Sequence, residues 1–219
     1  MAEPASPETR SAARSRRRGP RKGDLREAAI VDTLARLLGE QRTFSSLGVD
    51  ELAQGAGISR SAFYFYFDSR EAVLRALSDR VSRLVFDASD AWLNRTDHPP
   101  AEALRNAVAA YVDLWDEHGP VLRAILTSCA GDPELQAFWA TAGERFVAAA
   151  AAQIKREREA GVALAGPPSA IDLATVLCAM TERAAFGATQ PGVTARARKH
   201  LTDTLATVWH RAIYGTPNG

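Results

Sequence analysis

The chain has 219 residues, of which 46% are hydrophobic and 24% charged, and its formal net charge is +1. That is enough for one sizeable globular unit or two small ones, in a balance ordinary for a soluble protein. No apolar run reaches the roughly 18 residues that cross a bilayer, and the N-terminal arginines lack the apolar stretch of a secretory signal, so a cytoplasmic protein with no membrane partner is expected.

Residues 1–23 carry Arg10, Arg14, Arg16, Arg17, Arg18, Arg21 and Lys22 against only Glu3 and Glu8. Pro, Ser and Arg dominate without a hydrophobic period, which predicts a disordered basic arm. Such an arm suits nucleic acid or an acidic surface, and a solvated tail is the plainer alternative. Arg16, Arg17 and Arg18 are its candidate DNA contacts. From Asp24, a candidate N-cap, the pattern turns helical, with Ala28, Val31, Leu34, Ala35 and Leu38 at i, i+3, i+4, i+7 spacing. A short helix over about Val49 to Gln54 follows, then "GAGIS".

The stretch "SRSAFYFYFDSREAV" sets five aromatic residues in a row, Phe63 to Phe67, and their alternation looks at first like a strand. The flanks predict a helix instead. Ser59 is a good N-cap, and at 100° per residue Phe63 and Phe67 share one face while Phe65 points almost the opposite way. Asp68 would cap the next helix, with Glu71 three residues on completing a capping box. The preceding "VDELAQGAGIS" supplies the first half of a helix-turn-helix: Leu52 faces the core, Ala53 allows a close crossing, Gly57 suits a left-handed turn, and Ile58 plugs the space beneath it. Five aromatics cannot all face one core from one short helix, so Arg60, Ser61, Tyr64, Phe65 and Tyr66 are left outside, with Arg70 beyond them. Phenol and hydroxyl groups donate to phosphate oxygens, Arg60 reaches phosphate or a guanine edge, and Phe65 suits a thymine methyl.

A long helix runs from near Ser69 through Leu74, Leu77, Val81, Leu84 and Val85 to Trp92. Beyond "DHPP", helical segments are predicted over 101–117, 120–129, 133–160, 168–188 and 194–214, parted by "HGP", "GDP", "GPP" and "QPG". No strand alternation and no internal repeat stand out elsewhere. The fold class is all-α.

"VDELAQGAGISRSAFYFYFDSREAVLRAL" resembles the DNA-binding signature of the TetR family of transcriptional regulators over residues 24–80 or so, including the F-x-S-[KR]-E entry to the fourth helix. The resemblance implies a helix-turn-helix domain over 24–70, a ligand-binding and dimerisation domain over 71–215, and a tail over 216–219. It further implies a repressor with nine or so helices that binds a palindromic double-stranded DNA operator and is released by a small-molecule effector. The last two helices, 168–188 and 194–214, would pair with their copies in a homodimer. Independently, "AIDLATVLCAM" is apolar nearly all round, and Leu201, Leu205, Val208, Trp209, Ala212 and Ile213 form one stripe, opposite Arg196, Arg198, Lys199 and Thr202.

Aromatics recur at Tyr111, Trp115, Trp139, Phe146, Phe186 and Trp209. In an arbitrary helical protein they would be plain core. A closer likeness to one branch of the family, carried by "GAGISR", "FYFYF", "EAVL", "DRV", "ER…F" near 182–186 and "W…IYG" at 209–215, implies that they line an elongated apolar channel for an apolar effector. Where that branch has two asparagines, this chain has Cys178 and Thr181. A thiol is a weak donor and a hydroxyl is shorter than an amide, so the ligand's identity does not carry over; Thr181 is the candidate polar anchor.

Enzymatic groupings are weak. His118 with Glu117, Asp116 and Asp113, and Glu182 with Arg183, form neither a nucleophile–base pair nor a metal-ligand pattern. His118, beside Gly119–Pro120, looks like a helix C-terminal cap. Cys129 and Cys178, with no CxxC spacing or His neighbour, are expected to be buried reduced thiols, and neither a metal nor a cofactor is expected. A ligand-binding module without sequence-specific DNA recognition, and an activator of the same fold, stay open as alternatives.

Overall fold

The first helix, α1 (Lys22–Gly39), buries Ile30, Val31, Leu34, Leu37 and Leu38, so its core stripe sits slightly further round than expected and Ala28 is exposed. Asp24 lies inside its first turn rather than at the cap, where a carboxylate still suits the helix dipole. A computed structural model of the chain describes residues 22–94, 100–188 and 192–215. The basic arm with Arg16, Arg17 and Arg18, and the tail at 216–219, fall outside the described residues.

Next come α2 (Val49–Gly55) and α3 (Arg60–Tyr66). Leu52 and Phe63 are fully buried and Ala53 nearly so, which sets α2 and α3 against α1. The turn between them needs a residue with positive φ, and Gly57 takes it at 68°. There the Gly57 and Ile58 amides donate to the carbonyls of Gln54 and Ala53 at 3.0 Å each, closing the end of α2. Ser59 caps α3, its hydroxyl accepting from the Ala62 amide at 3.1 Å.

The long helix α4 (Arg70–Leu93) starts one residue later than the capping-box reading placed it. Ser69, not Asp68, accepts from the Ala72 amide at 3.1 Å, and Asp68 is exposed. A larger correction concerns α5 (Pro100–Ser128), which runs through Gly119–Pro120 without a break. Pro120 removes one helical hydrogen bond, a cost of about 3 kcal/mol in isolation. The stretches on either side, Leu114–Trp115 and Val121–Leu122 with Ile125, are buried in the same core, so packing holds the helix straight through the proline. His118 is therefore mid-helix, 3.7 Å from Glu117, and caps nothing.

The remaining helices are α6 (Pro133–Glu159), α7 (Ala170–Ala188) and α8 (Ala195–Tyr214), the first capped by Asp132 and the last by Thr194. The described residues form eight α-helices, two short 3-10 turns and no strand, confirming the all-α class. One helix fewer than nine results from the fusion at Pro120.

Two hydrophobic cores share α4 and α5. One joins α1, α2 and α3 to the first half of α4 and the second half of α5, with Leu135 of α6 and Ala185 of α7; the other joins the last turn of α4 and the first half of α5 to α6, α7 and α8. Both cores thus draw on these two long helices. Arg75 on α4 reaches Asp132 at 2.8 Å, and Arg80 pairs with Asp32 on α1. At the far end of α4 the Trp92 indole donates to the Tyr214 hydroxyl at 3.1 Å, which donates to buried Glu157 at 2.6 Å. Both ends of α4 are pinned, which suits it to carry displacement between the cores.

Candidate functional site

Two features stand at opposite ends of α4. The first is the outer face of α3. Arg60, Ser61 and Tyr64 are exposed, and Phe65 is 84% exposed, the most exposed large hydrophobic among the described residues. Tyr64 leans edge-on against buried Phe63, and its hydroxyl accepts from Arg60 at 3.5 Å while Arg60 pairs with Asp50 at 2.7 Å. These groups form a polar, aromatic ridge held by an internal layer of Phe63 and Leu52.

Tyr66 and Arg70 depart from that ridge. Tyr66 is half-buried against the core below. Arg70 turns back on its own domain: Nη1 donates to the carbonyls of Phe44, Ser45 and Leu47, at 2.7 Å for the last, and Nε to Glu71 at 2.9 Å. Its guanidinium also lies 5.0 Å from the Phe44 ring centre. Arg70 thus ties the 44–47 turn to the start of α4. We expect Arg70→Gln to cost about 1.5–3 kcal/mol of stability in a denaturant titration, with the salt dependence of DNA binding unaltered. A flattened salt slope would show that Arg70 contacts phosphate instead.

The second feature is a partly open cavity of about 360 Å³ lined by the last five helices. From α4 come Val85, Phe86, Ser89 and Trp92, and from α5 Leu104, Tyr111 and Trp115. Trp139, Gly143 and Phe146 of α6 face Thr175, Cys178, Thr181 and Glu182 of α7, and Trp209 of α8 closes one side. The volume falls in the range of small-molecule sites. Seven of the eight expected ligand residues meet here, while Phe186 does not reach the cavity and instead stacks edge-on behind Trp115, with ring centres 6.1 Å apart.

Sequence reasoning missed Phe86, Trp92 and Glu182 as part of this wall. Ser82, Val85, Phe86, Ser89 and Trp92 recur at intervals of three and four, a helical face that the sequence alone would have yielded. Thr181 donates to the Leu177 carbonyl and accepts from the Trp209 indole, each at 2.8 Å, so its proton is already committed. It offers a ligand only a remaining lone pair. Burial pushes the Cys178 thiol up to about 12, with the nearby Glu182 carboxylate adding to it, which leaves an unreactive S–H. Burial likewise raises the Tyr111 phenol and the Glu182 carboxyl above their ordinary values, the Trp139 indole opposing the shift at Glu182. No group of three His, Cys, Asp or Glu among the described residues could hold a metal ion.

The stripe on α8 is mostly buried within the chain. Leu205, Trp209 and Ile213 are buried, while Val208 on α8 and Ile171 and Val176 on α7 are exposed. Among the described residues no helix is long and apolar enough to cross a membrane.

A helix-turn-helix head coupled to a helical domain with an apolar cavity is the architecture of a one-component transcriptional regulator. The chain matches the family model for the C-terminal domain of the transcriptional regulator EthR over residues 104–215, and that for bacterial regulatory proteins of the tetR family over 30–77. It is 40% identical over 206 residues to the HTH-type transcriptional regulator EthR of Mycolicibacterium smegmatis, covering 93% of each chain. With the regulator of the same name from Mycobacterium tuberculosis it shares 38% over 210 residues, 92% of this chain and 93% of that one. A crystal structure of a TetR-family regulator from Mesorhizobium loti superposes with a TM-score of 0.71 at 15% identity, covering 89% of this chain and all of that one, a likeness of fold. The protein belongs to the TetR family of transcriptional regulators, with an EthR-type C-terminal domain, and is not an enzyme.

Proposed function

We propose that the protein is a repressor that binds a palindromic operator as a homodimer and is released when an apolar small molecule enters the cavity. The observation that carries this reading is α4 itself: one helix ends in the α3 head at one side and supplies Phe86 and Trp92 to the cavity wall at the other. A ligand shifts an equilibrium only through different affinities for its two states, so it must favour an arrangement that spaces the two heads wrongly for DNA. The exposed apolar residues Ile171, Val176 and Val208 support α7 and α8 as the surface where two copies meet. In this reading Arg60, Ser61, Tyr64 and Phe65 face the major groove, the residues of the 1–22 arm add phosphate contacts, and the protein acts in the cytoplasm, on DNA.

The test is a mobility-shift titration with DNA from upstream of the gene, followed by release with medium-length apolar esters, ketones or amides. Two half-sites about one helical turn apart, or a multiple of it, are expected. Deleting residues 1–22 should flatten the slope of log K against log salt by a few counterions while leaving the dimer intact. Binding that is indifferent to sequence, or an operator complex that no such compound disturbs, would reject the repressor reading.

A further inference from the structure

Much of the hydrogen-bonding capacity of the cavity wall is already in use. Ser89 donates to the Val85 carbonyl at 3.2 Å, Thr175 to that of Ile171 at 2.8 Å, and Thr181 to that of Leu177 at 2.8 Å. The Trp92 indole donates to Tyr214, and the Trp209 indole to Thr181. The charged groups on or beside the wall are Glu144 and Glu182, with Arg145 lying 5.7 Å from the Phe86 ring centre; all three are exposed and solvent serves them. Of the remaining donors, the Cys178 thiol is a weak one, Ser82 is half-exposed, and the Trp139 indole lies against Glu182.

Tyr111 and Trp115 differ from these. They stand one turn apart on α5 and both line the cavity, their ring centres 6.5 Å apart. Trp115 is 1% exposed, and its Nε1 is buried without a hydrogen-bond partner. A buried N–H left in that state is costly and uncommon in a native structure. The group it approaches, short of hydrogen-bond geometry, is the Tyr111 hydroxyl. That approach brings a donor to the phenol oxygen and provides no acceptor for the phenol's own proton, while Cys178 and Glu182 act on the phenol only through their charge. A ligand oxygen accepting from Tyr111 would use that proton. It would also polarise the phenol and make its oxygen a better acceptor for the Trp115 N–H, so one ligand contact completes two hydrogen bonds.

Resting on the effector-site reading above, we propose that the cavity selects a neutral hydrogen-bond acceptor, a carbonyl oxygen set in an apolar body, with the Tyr111 hydroxyl as its donor and Trp115 as the positioning residue behind it. The polar anchor then lies on α5. On α7, Thr181 has no proton to give and Cys178 gives a weak one. An ionised ligand would lose more solvation in so apolar a space than one phenol returns.

Hexanophenone and hexylbenzene, which differ by C=O in place of CH2, test this on the full-length protein by quenching of tryptophan fluorescence. The ratio of ketone to hydrocarbon affinity should fall about fivefold in Tyr111→Phe, the worth of one hydrogen bond, and by less in Trp115→Phe. Infrared spectra of the ketone, isotope-labelled at the carbonyl, report the contact directly. The bound C=O stretch should lie below its position in an apolar solvent, return to it in Tyr111→Phe and move part of the way in Trp115→Phe. Tyr111→Phe keeps the ring, and circular dichroism checks that both variants fold. An unshifted stretch in wild type, or an unchanged ratio in Tyr111→Phe, overturns the donor assignment and leaves the effector-site reading standing. If Trp139→Phe collapses the ratio and Tyr111→Phe does not, the acceptor meets α6 and the proposal fails as stated. Binding of neither compound to wild type rejects the effector-site reading together with the proposal.

Discussion

Trp209→Ala is expected to cost about 3–5 kcal/mol of folding free energy and to disconnect DNA release from effector binding. The indole is 4% exposed, yet it borders the cavity, so part of its surface already faces void and the loss should lie at the lower end of that range. What makes the residue matter is its position between three helices. From α8 its ring stacks edge-on against Trp92 of α4, and its N–H donates to Thr181 of α7. A ligand that moves Trp209 thus moves the end of α4, and α4 ends in the α3 head. Without the indole the cavity enlarges and a bound ligand pushes on nothing. The effector concentration that releases operator DNA should therefore rise by an order of magnitude or more, while affinity for DNA without effector stays near that of wild type. Because the alanine variant risks unfolding, Trp209→Phe supplies the control. It keeps an aromatic ring against Trp92 and removes the N–H, at about 1 kcal/mol since Thr181 still bonds the Leu177 carbonyl, together with part of the bicycle, which enlarges the void less than alanine does. Wild-type release curves from both variants would place the coupling elsewhere in the wall.

The reading head was legible from local pattern because its signals are local. A serine cap, a glycine at positive φ and aromatic residues on a 100° period lie within a dozen residues, and each fixes its own neighbourhood. Arg70 was not legible in the same way. Its partners are the carbonyls of Phe44, Ser45 and Leu47, more than twenty residues earlier, and a charge at a helix start looks free until the turn that receives it is folded. Pro120 misled for a related reason: its local cost is real, and burial on both sides of it outweighs that cost. Periodicity also showed which face of α8 is apolar without showing what covers it. Leu205, Trp209 and Ile213 turned out to be covered by the chain's own helices, so the dimer proposed above would have to use exposed residues such as Ile171, Val176 and Val208. Glu182, in sequence, was one half of an ordinary Glu–Arg neighbour pair. Only packing shows that the arginine lies over the Phe186 ring and that Glu182, though exposed, borders the cavity.

Phe65→Ala should leave the fold untouched and injure recognition. At 84% exposed, the ring adds almost nothing to the core, so stability should change by less than about 0.5 kcal/mol in a thermal or denaturant scan. Among the described residues its ring meets Tyr66 edge-on, ring centres 5.2 Å apart. A large apolar side chain on the outside of a recognition helix is suited to a thymine methyl, whose loss would cost about 1–3 kcal/mol at one base position. Tyr64→Phe makes the contrast. It removes a hydroxyl that stands next to Arg60 and keeps the ring packed on Phe63, so binding should weaken evenly across operator sequences, as loss of one phosphate donor requires. The measurement is fluorescence anisotropy on the operator and on a set of single-base variants, at fixed salt because the phosphate contribution varies with it. For Phe65→Ala the penalty should concentrate at one position of each half-site and vanish when that base pair is already changed. An even loss across all variants would mean that Phe65 rests on the sugar–phosphate backbone, and wild-type binding by both mutants would move the reading face off this side of α3.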